Sequence, residues 1–343
     1  MFKINFSGFL FLFSRVSAVL SFTLLNFQLI GHENYLQLDV LELVNDNKDA
    51  VVRVKAAFRQ KDANEENASK INLRVGTGFF VSQEGHILVN ASRALGADRI
   101  GVEYNGYHYP AEVIGHDPST NVSLLRLLTK PDKFSVISIP QDHSTPLPGS
   151  FVISLSCPLD FSVSPNIGII SGIDKKLGDR MFPTAYLRSS ISAGLGQAGG
   201  PVFDQNGQLV GMTILSIPEI GGSYILPTDA LARVKEDLFS EGTSQRGWIG
   251  LEVKGNFSDK GEFNVFISEL NKDGPAEKSG LKVGDKLISI CDTPINHITD
   301  LPGAVFKSYI GKICPIKIER EGQEMDFSIK AISPIQIESN DKK

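Results

Sequence analysis

The sequence predicts a mostly β protein, in which an all-β barrel or sandwich is followed by a smaller α+β module. From Val75 to about Ile225, short apolar runs such as GFFV, HILV and SFVISLS are separated by Gly, Pro, Asn and Asp, with little helical periodicity. A chain of 343 residues is longer than one hydrophobic core usually serves, so more than one domain is expected. The net charge of −5 does not favour a polyanion, and we expect no nucleic acid partner.

The first 31 residues differ in composition from the rest of the chain. They contain Lys3 and Arg15, no acidic residue, and apolar stretches on both sides of Arg15. A basic start with an apolar stretch is typical of an export signal, although no clear cleavage motif is visible. The stretch after Arg15 is about 16 residues long, which is short for a membrane span. Segment 1–31 is therefore interpreted as a signal peptide or an N-terminal membrane anchor, with a buried helix as the remaining alternative. Either leading interpretation places the folded part in the periplasm or cell envelope.

The first domain is expected to span residues 36–242. Residues 36–55 are predicted to form a helix that runs into a strand, and the charged residues 59–70 to form a surface loop. Residues 227–242 have apolar side chains at helical spacing, and Gly242 is suited to end that helix. This helix is expected to close the domain.

A second unit is expected over residues 245–332, followed by a polar tail over 333–343. It combines the strand-like runs WIGLEVK, FNVFISEL and CPIKIERE with a helix near residues 299–310. The pattern predicts a small α+β module.

The three cysteines do not form a disulfide framework, because they are few and odd in number. Cys291 and Cys314 are able to pair if they are neighbours in the fold, but buried free thiols are the favoured interpretation. No His/Cys cluster has metal-ligand spacing, and we expect neither a metal nor another cofactor.

Five segments, in this order, resemble the trypsin-like half of the HtrA/Deg family of exported serine proteases, and the second unit resembles the PDZ domain that follows it there. The segments are GTGFFVSQEGHILVN (76–90), GHDPSTNVSLLRL (115–127), VISLSCPLDFSVSPNIGIISGI (152–173), GQAGGPVFDQNGQLVGM (196–212) and GGSYILPTDAL (221–231). The resemblance implies a two-barrel chymotrypsin/trypsin-like domain followed by a PDZ domain. Members of the family commonly form trimers, so it also implies a homotrimer or a mixed oligomer with active family members.

The resemblance places the family's catalytic histidine at Ser92, its aspartate at Asn121 and its nucleophilic serine at Ala198. Ala198 has no nucleophilic atom, Ser92 is no base near neutral pH, and Asn121 carries no charge. Loss of the nucleophile alone costs roughly 10⁶-fold in kcat in a serine protease. We therefore expect no catalytic residues at these positions. The resemblance implies that the amides of Gly196 and Ala198 form a vestige of the family's oxyanion loop. The favoured alternative is that the loop keeps its shape because the barrel needs it to join two strands.

Other polar residues near these segments offer no obvious replacement for the triad. Cys157 is interpreted as a buried structural thiol, and His86 lies on the strand leading to Ser92, too far along it to act from the same place. His116 is interpreted as a loop histidine.

The second unit contains the pattern by which PDZ domains receive a peptide C-terminus, RGWIGLEV. The resemblance implies that Trp248, Ile249, Gly250 and Leu251 form the carboxylate loop, and Val253 continues into the strand that pairs with the peptide. On the groove helix the candidates are Val305, Phe306 and Tyr309. A structural anchor is the alternative role of Trp248.

The sequence-based interpretation is an exported, non-catalytic HtrA-like pseudoprotease, and not an enzyme. We expect it to bind protein C-termini or unfolded segments through its PDZ domain, as a chaperone, scaffold or regulator in envelope protein quality control. Two alternatives stay open: an active serine-type endopeptidase that uses non-standard residues, and a structural envelope protein without peptide affinity.

Overall fold

The computed structural model describes residues 40–61, 69–141, 145–258 and 261–333. The predicted signal or anchor segment (1–31), most of the predicted loop 59–70 and the tail beyond residue 333 lie outside these ranges. Within them, no helix is long and apolar enough to cross a membrane.

The first barrel is a closed sheet of six strands in the order β1-β2-β3-β6-β5-β4. It follows helix α1, which covers residues 40–47, and the 3₁₀ turn Lys48–Ala50. Large apolar side chains that point inwards, among them Phe80, Ile87 and Leu125, are fully buried in it. The elements are β1 (Val51–Lys61), β2 (Ser69–Phe80), β3 (His86–Asn90), the short helix α2 (Ala91–Ala94), β4 (Arg99–Tyr104), β5 (Tyr107–Asp117) and β6 (Val122–Leu127).

The second barrel is also closed and six-stranded, in the order β10-β11-β12-β9-β8-β7. Helix α3 (Thr228–Glu241) follows it, and Gly242 ends the helix in the left-handed region at φ 68°, as the sequence predicts. The elements are β7 (Phe151–Ser156), β8 (Ser164–Leu177), β9 (Arg180–Ser189), β10 (Pro201–Asp204), β11 (Leu209–Ile217), the 3₁₀ turn Pro218–Ile220 and β12 (Gly222–Pro227).

The C-terminal module, made of β13 to β18 with helices α4 and α5, contains one antiparallel sheet in the order β13-β14-β15-β17-β18, with β16 paired to β15. Its core contains Ile267, Leu287 and Ile318. The elements are β13 (Leu251–Phe257), β14 (Phe263–Leu270), α4 (Pro275–Lys278), β15 (Lys286–Ile290), β16 (Thr293–Pro294), the 3₁₀ turn Ile298–Asp300, α5 (Leu301–Phe306), β17 (Ile313–Arg320) and β18 (Gln323–Lys330). Two barrels followed by a small α+β module confirm the predicted fold class, whereas the domain limits 36–242 and 245–332 stay a prediction.

Cys291 and Cys314 form a disulfide, with 4.7 Å between their Cα atoms and a separation of 23 positions in sequence. Pairing of β15 with β17 brings them together, and the Cys291 N–H donates to the Pro315 carbonyl at 2.8 Å. The expectation of free thiols is wrong for these two residues. Whether they are neighbours depends on the register of strands that are distant in sequence. Cys157 is a buried free thiol, as predicted.

Two arginines that the sequence analysis did not single out join the barrels to the C-terminal module. Arg233 of α3 is buried, donates to the Ser308 carbonyl at 2.7 Å, and its Cζ lies 3.7 Å from the centre of the Tyr309 ring. Arg246, between the two units, pairs with the buried carboxylate of Asp117 at the end of β5. Helix α5 also contacts β9 of the second barrel.

Candidate functional site

Residues 90–92 occupy the end of β3, where the strand turns into α2. Asn90 caps the helix, since its Oδ1 accepts from the Ser92 amide at 3.2 Å and from the Ser92 hydroxyl at 2.7 Å. The Asn90 Nδ2 donates to the Ile214 carbonyl in the second barrel at 2.6 Å. The Ser92 hydroxyl proton is therefore engaged within its own turn.

Asn121 meets this turn from the loop between β5 and β6. Its backbone is in the left-handed region at φ 61°, a conformation that Asn tolerates better than most residues. Its Oδ1 accepts from the Ser92 amide at 2.8 Å, and its carbonyl accepts from the Ala91 amide at 2.8 Å. The structure therefore brings residues 92 and 121 together, with a neutral amide side chain at residue 121.

The loop before β10 completes the cluster from the second barrel. A Cβ atom on Gly199, whose φ is 99°, would lie 2.0 Å from the Thr77 carbonyl oxygen and 3.3 Å from the Asn90 nitrogen, so only glycine fits there. The Thr77 amide donates to the Ala198 carbonyl at 3.0 Å, and the Thr77 hydroxyl donates to the Gly196 carbonyl at 2.7 Å. These bonds hold the loop against β2 of the first barrel.

The amides of Gly196 and Ala198 have no hydrogen-bond acceptor among the described residues. Gly196 adopts φ 86°, and Ala198 is buried. Two free backbone donors in one tight turn are able to receive a carbonyl or carboxylate oxygen. Beside them lies the methyl group of residue 198, and the role of this turn as an oxyanion-type loop stays a prediction.

The residues considered as replacements for the catalytic triad either lie apart from this cluster or are unreactive near neutral pH. Burial raises the pKa of the Cys157 thiol to about 11, so it is protonated near neutral pH. His86 contacts Ser82 at 2.7 Å and the Phe239 ring, with ring centres 4.7 Å apart. His116 donates its amide to Gly242 beside α3. In the part of the chain that the structure describes, no group of three or more His, Cys, Asp or Glu side chains is placed to hold a metal.

The second candidate site is the loop that enters β13. Gly250 has φ 80°, and a Cβ atom there would lie 2.8 Å from the Trp248 ring. Trp248 is anchored by two backbone hydrogen bonds with Ile332, at 2.8 and 3.0 Å, and its ring lies beside Gly250 and Gly274 of the same module. The amides of Ile249 and Gly250 have no acceptor within the described ranges.

Strand β13 is the edge of its sheet and pairs, among the described strands, with β14 alone. Leu251 and Val253 on this strand are partly buried against the module's core, and Ile249 is buried in it. An open strand edge with an apolar face and two free amides at its start has the features by which a peptide terminus is bound.

Helix α5 follows the 3₁₀ turn Ile298–Asp300, which contacts β13, and the side chains of α5 are divided between two neighbours. Phe306 is buried against the barrels, with the Cζ of Arg246 4.7 Å from its ring centre, and Tyr309 stacks on Arg233. Their prediction as groove-lining residues is wrong, because contact with the barrels sets the orientation of α5. Val305 is partly buried, and its place in the groove stays a prediction.

Sequence reasoning missed Leu301 and Ile298, which pack against the module's core from α5 and the preceding turn. Their spacing of three residues is a helical signal that was present in the sequence.

Both parts of the chain match known protein families. Residues 76–212 match the trypsin-like peptidase domain family, and residues 238–306 match the PDZ domain family. A protein of Marinomonas sp. (strain MWYL1) named "Probable periplasmic serine endoprotease DegP-like" is 29% identical over 268 residues, covering 74% of this chain and 56% of the relative. A protein of the same name from Halomonas elongata is 27% identical over 267 residues, covering 74% and 56%. The chain therefore spans about half the length of these curated relatives.

Solved structures share the fold. The HtrA-type protease AlgW with tripeptide has a TM-score of 0.69 at 21% identity, covering 84% of this chain and 95% of that one. The serine endoprotease from Yersinia pestis has a TM-score of 0.59 at 25% identity, covering 84% and 96%.

These findings correct one expectation. The prediction that the chain is not an enzyme is contradicted, because its relatives are named as serine endoproteases, and nothing in the comparisons supports a pseudoprotease. The order of the matched domains nevertheless agrees with the resemblance. The chain has the architecture of the HtrA/Deg proteins, a trypsin-like peptidase domain followed by a PDZ domain.

Proposed function

We propose that this protein binds the C-termini or unfolded segments of other proteins in the groove between β13 and α5, and serves protein quality control in the cell envelope. The observation that carries this proposal is the open edge of β13, which begins at the two free amides of Ile249 and Gly250. A chaperone, scaffold or regulatory role follows from peptide binding, and family resemblance supports a homotrimer or a mixed oligomer.

The bound peptide adds an antiparallel or parallel strand to β13 through main-chain hydrogen bonds. Its terminal carboxylate accepts from the Ile249 and Gly250 amides, which Gly250 allows at close range because it has no Cβ. Leu251 and Val253 provide the apolar floor for the last side chain of the peptide.

Three observations support a site of action outside the cytoplasm. The basic and apolar segment 1–31 is typical of an export signal. The Cys291–Cys314 disulfide is of the kind that persists in oxidising compartments. The relatives from Marinomonas and Halomonas are named periplasmic.

The test is fluorescence anisotropy with labelled peptides that end in an apolar residue, each made with a free carboxylate and with an amide. The full chain is expected to bind the carboxylate form at least about 10-fold more tightly, the usual worth of charge-assisted hydrogen bonds. Gly250→Val, which places a branched side chain at φ 80° against Trp248, is expected to lower the affinity for the carboxylate form at least about 10-fold. Equal binding of both forms would overturn the proposal.

The comparisons favour a second candidate function, hydrolysis of peptide bonds. Since residue 198 is alanine, such a reaction needs a nucleophile other than residue 198. Incubation of the purified protein with an unfolded casein substrate and a fluorophosphonate probe tests it, and mass spectrometry identifies the labelled residue. Cleavage that persists after the labelled residue has been substituted would exclude this candidate function.

The assignment of Ser92, Asn121 and Ala198 to the family's three catalytic positions is a proposal of its own. Their convergence across the two barrels supports it. Combined Ser92→His, Asn121→Asp and Ala198→Ser substitutions are expected to raise casein cleavage well above wild type, whereas Ala198→Ser alone is not, because it lacks a base. A triple variant no more active than wild type would count against the assignment.

A further inference from the structure

Arg93 lies at the edge of the inter-barrel cluster, directly after Ser92 in α2. A Cβ atom built on Gly76 would lie 3.0 Å from the Arg93 Cγ and 3.5 Å from the Ala198 carbonyl oxygen. The stem of Arg93 therefore runs over β2 at Gly76, and the next residue, Thr77, holds the loop with the free Gly196 and Ala198 amides.

The Arg93 guanidinium has no partner in the described part of the chain. It forms no salt bridge or hydrogen bond there, and its Nε is shielded from solvent without an acceptor. Arginine carries five N–H donors in a planar fork, and a shielded donor without an acceptor is costly. A ligand that supplies acceptors here would recover that cost.

The surroundings of Arg93 favour an anionic ligand. Arg74 places a second guanidinium nearby, since its Nη1 donates to the Ser92 carbonyl at 2.8 Å. Ser92, Asn121 and Ala198 are all neutral, so the positions where the family has an acid and a base contribute no negative charge. The cationic character is local, because the chain as a whole has a net charge of −5.

We propose that Arg93 and the amides of Gly196 and Ala198 form a carboxylate-binding site in the barrel cleft, separate from the groove of the C-terminal module. The guanidinium fork matches the two oxygens of a carboxylate, and the loop amides offer further donors. Leu159 and Leu195, 49% and 72% exposed and joined by a hydrogen bond from the Leu159 amide to the Leu195 carbonyl at 3.1 Å, rim the same loop. They suit the apolar neighbours of a carboxylate in an extended polypeptide.

The experiment uses the full chain carrying Gly250→Val, so that binding by the groove at β13 does not contribute. Three labelled peptides of one apolar sequence serve as probes: a free C-terminus, an amidated C-terminus, and an amidated C-terminus with one internal Glu. If this site binds a carboxylate, the amidated peptide without Glu is expected to bind at least about 10-fold more weakly than the peptide with a free C-terminus or the peptide with an internal Glu. Preference for the first probe identifies a C-terminal carboxylate as the ligand, and preference for the third identifies an acidic side chain.

Arg93→Gln is expected to remove this preference, and Arg93→Lys to keep part of it, since lysine retains the charge but not the fork. Arg126→Gln is the matched control, because Arg126 is an exposed arginine on β6 paired with Glu112, and it is expected to change affinity less than about 2-fold. Equal binding of the three probes, or an Arg93→Gln variant that folds and binds as before, would overturn the proposal. If Gly250→Val does not weaken peptide binding in the test of the proposed function, that result counts against the groove at β13 and not against the Arg93 site.

Discussion

Loss of the Cys291–Cys314 disulfide is expected to lower the free energy of unfolding of the C-terminal module by about 3 kcal/mol. The bond joins residues 23 apart, and the chain-entropy relation for a loop of that size gives roughly 3–3.5 kcal/mol at 25 °C. Cys314 is buried, so alanine, which adds no polar group, is the appropriate replacement for both residues.

The assay is urea unfolding followed by the fluorescence of Trp248, the single tryptophan of the chain, which lies in this module. With a slope of about 1–3 kcal/mol per molar urea, the midpoint of the Cys291→Ala/Cys314→Ala variant should fall by roughly 1–3 M. Wild-type protein under reducing conditions should move in the same direction. A midpoint shift below about 0.3 M in both samples would refute the argument.

Three further predictions concern other parts of the molecule. Asp117→Ala should destabilise the fold by about 3 kcal/mol or more in denaturant melts, because it leaves Arg246 without its buried partner; a loss below about 1 kcal/mol contradicts this. Burial raises the pKa of Asp285, but its bonds from Arg320 at 2.6 and 2.7 Å outweigh that and hold the pKa below 3.8. Its contribution to stability should therefore be complete above about pH 4 and be lost as pH falls through the lower folded-state pKa, so the stability gap to Asp285→Asn should narrow in melts below pH 4. Cys157, with a pKa of about 11, should react with a thiol reagent at pH 8 only as the protein unfolds, and rapid labelling of the native protein would contradict its burial.

The sequence predicts most of the fold because local patterns and turn residues agree with it. Strand-and-turn alternation predicts the two barrels, and Gly242 predicts the end of α3. Both ends of the predicted surface loop 59–70 are strand instead, because β1 extends to Lys61 and β2 begins at Ser69. Charged residues do not reveal where the backbone pairing of two strands ends.

The candidate sites were predictable at positions where the backbone conformation requires glycine. Gly250 and Gly196 stand where positive φ and close approach are needed, and sequence alone indicates this. The orientation of Phe306 was not predictable, since it depends on Arg233 and Arg246 in other parts of the chain. The disulfide likewise depends on strand register, which composition and spacing do not reveal.

In the proposed complex, the Ile249 and Gly250 amides receive the carboxylate of a peptide C-terminus. The decisive measurement is backbone amide NMR of the protein titrated with an apolar peptide that has a free C-terminus. We expect these two amides to show the largest downfield shifts, and an amidated peptide to leave them in place. Saturable binding that leaves both amides unshifted would contradict it.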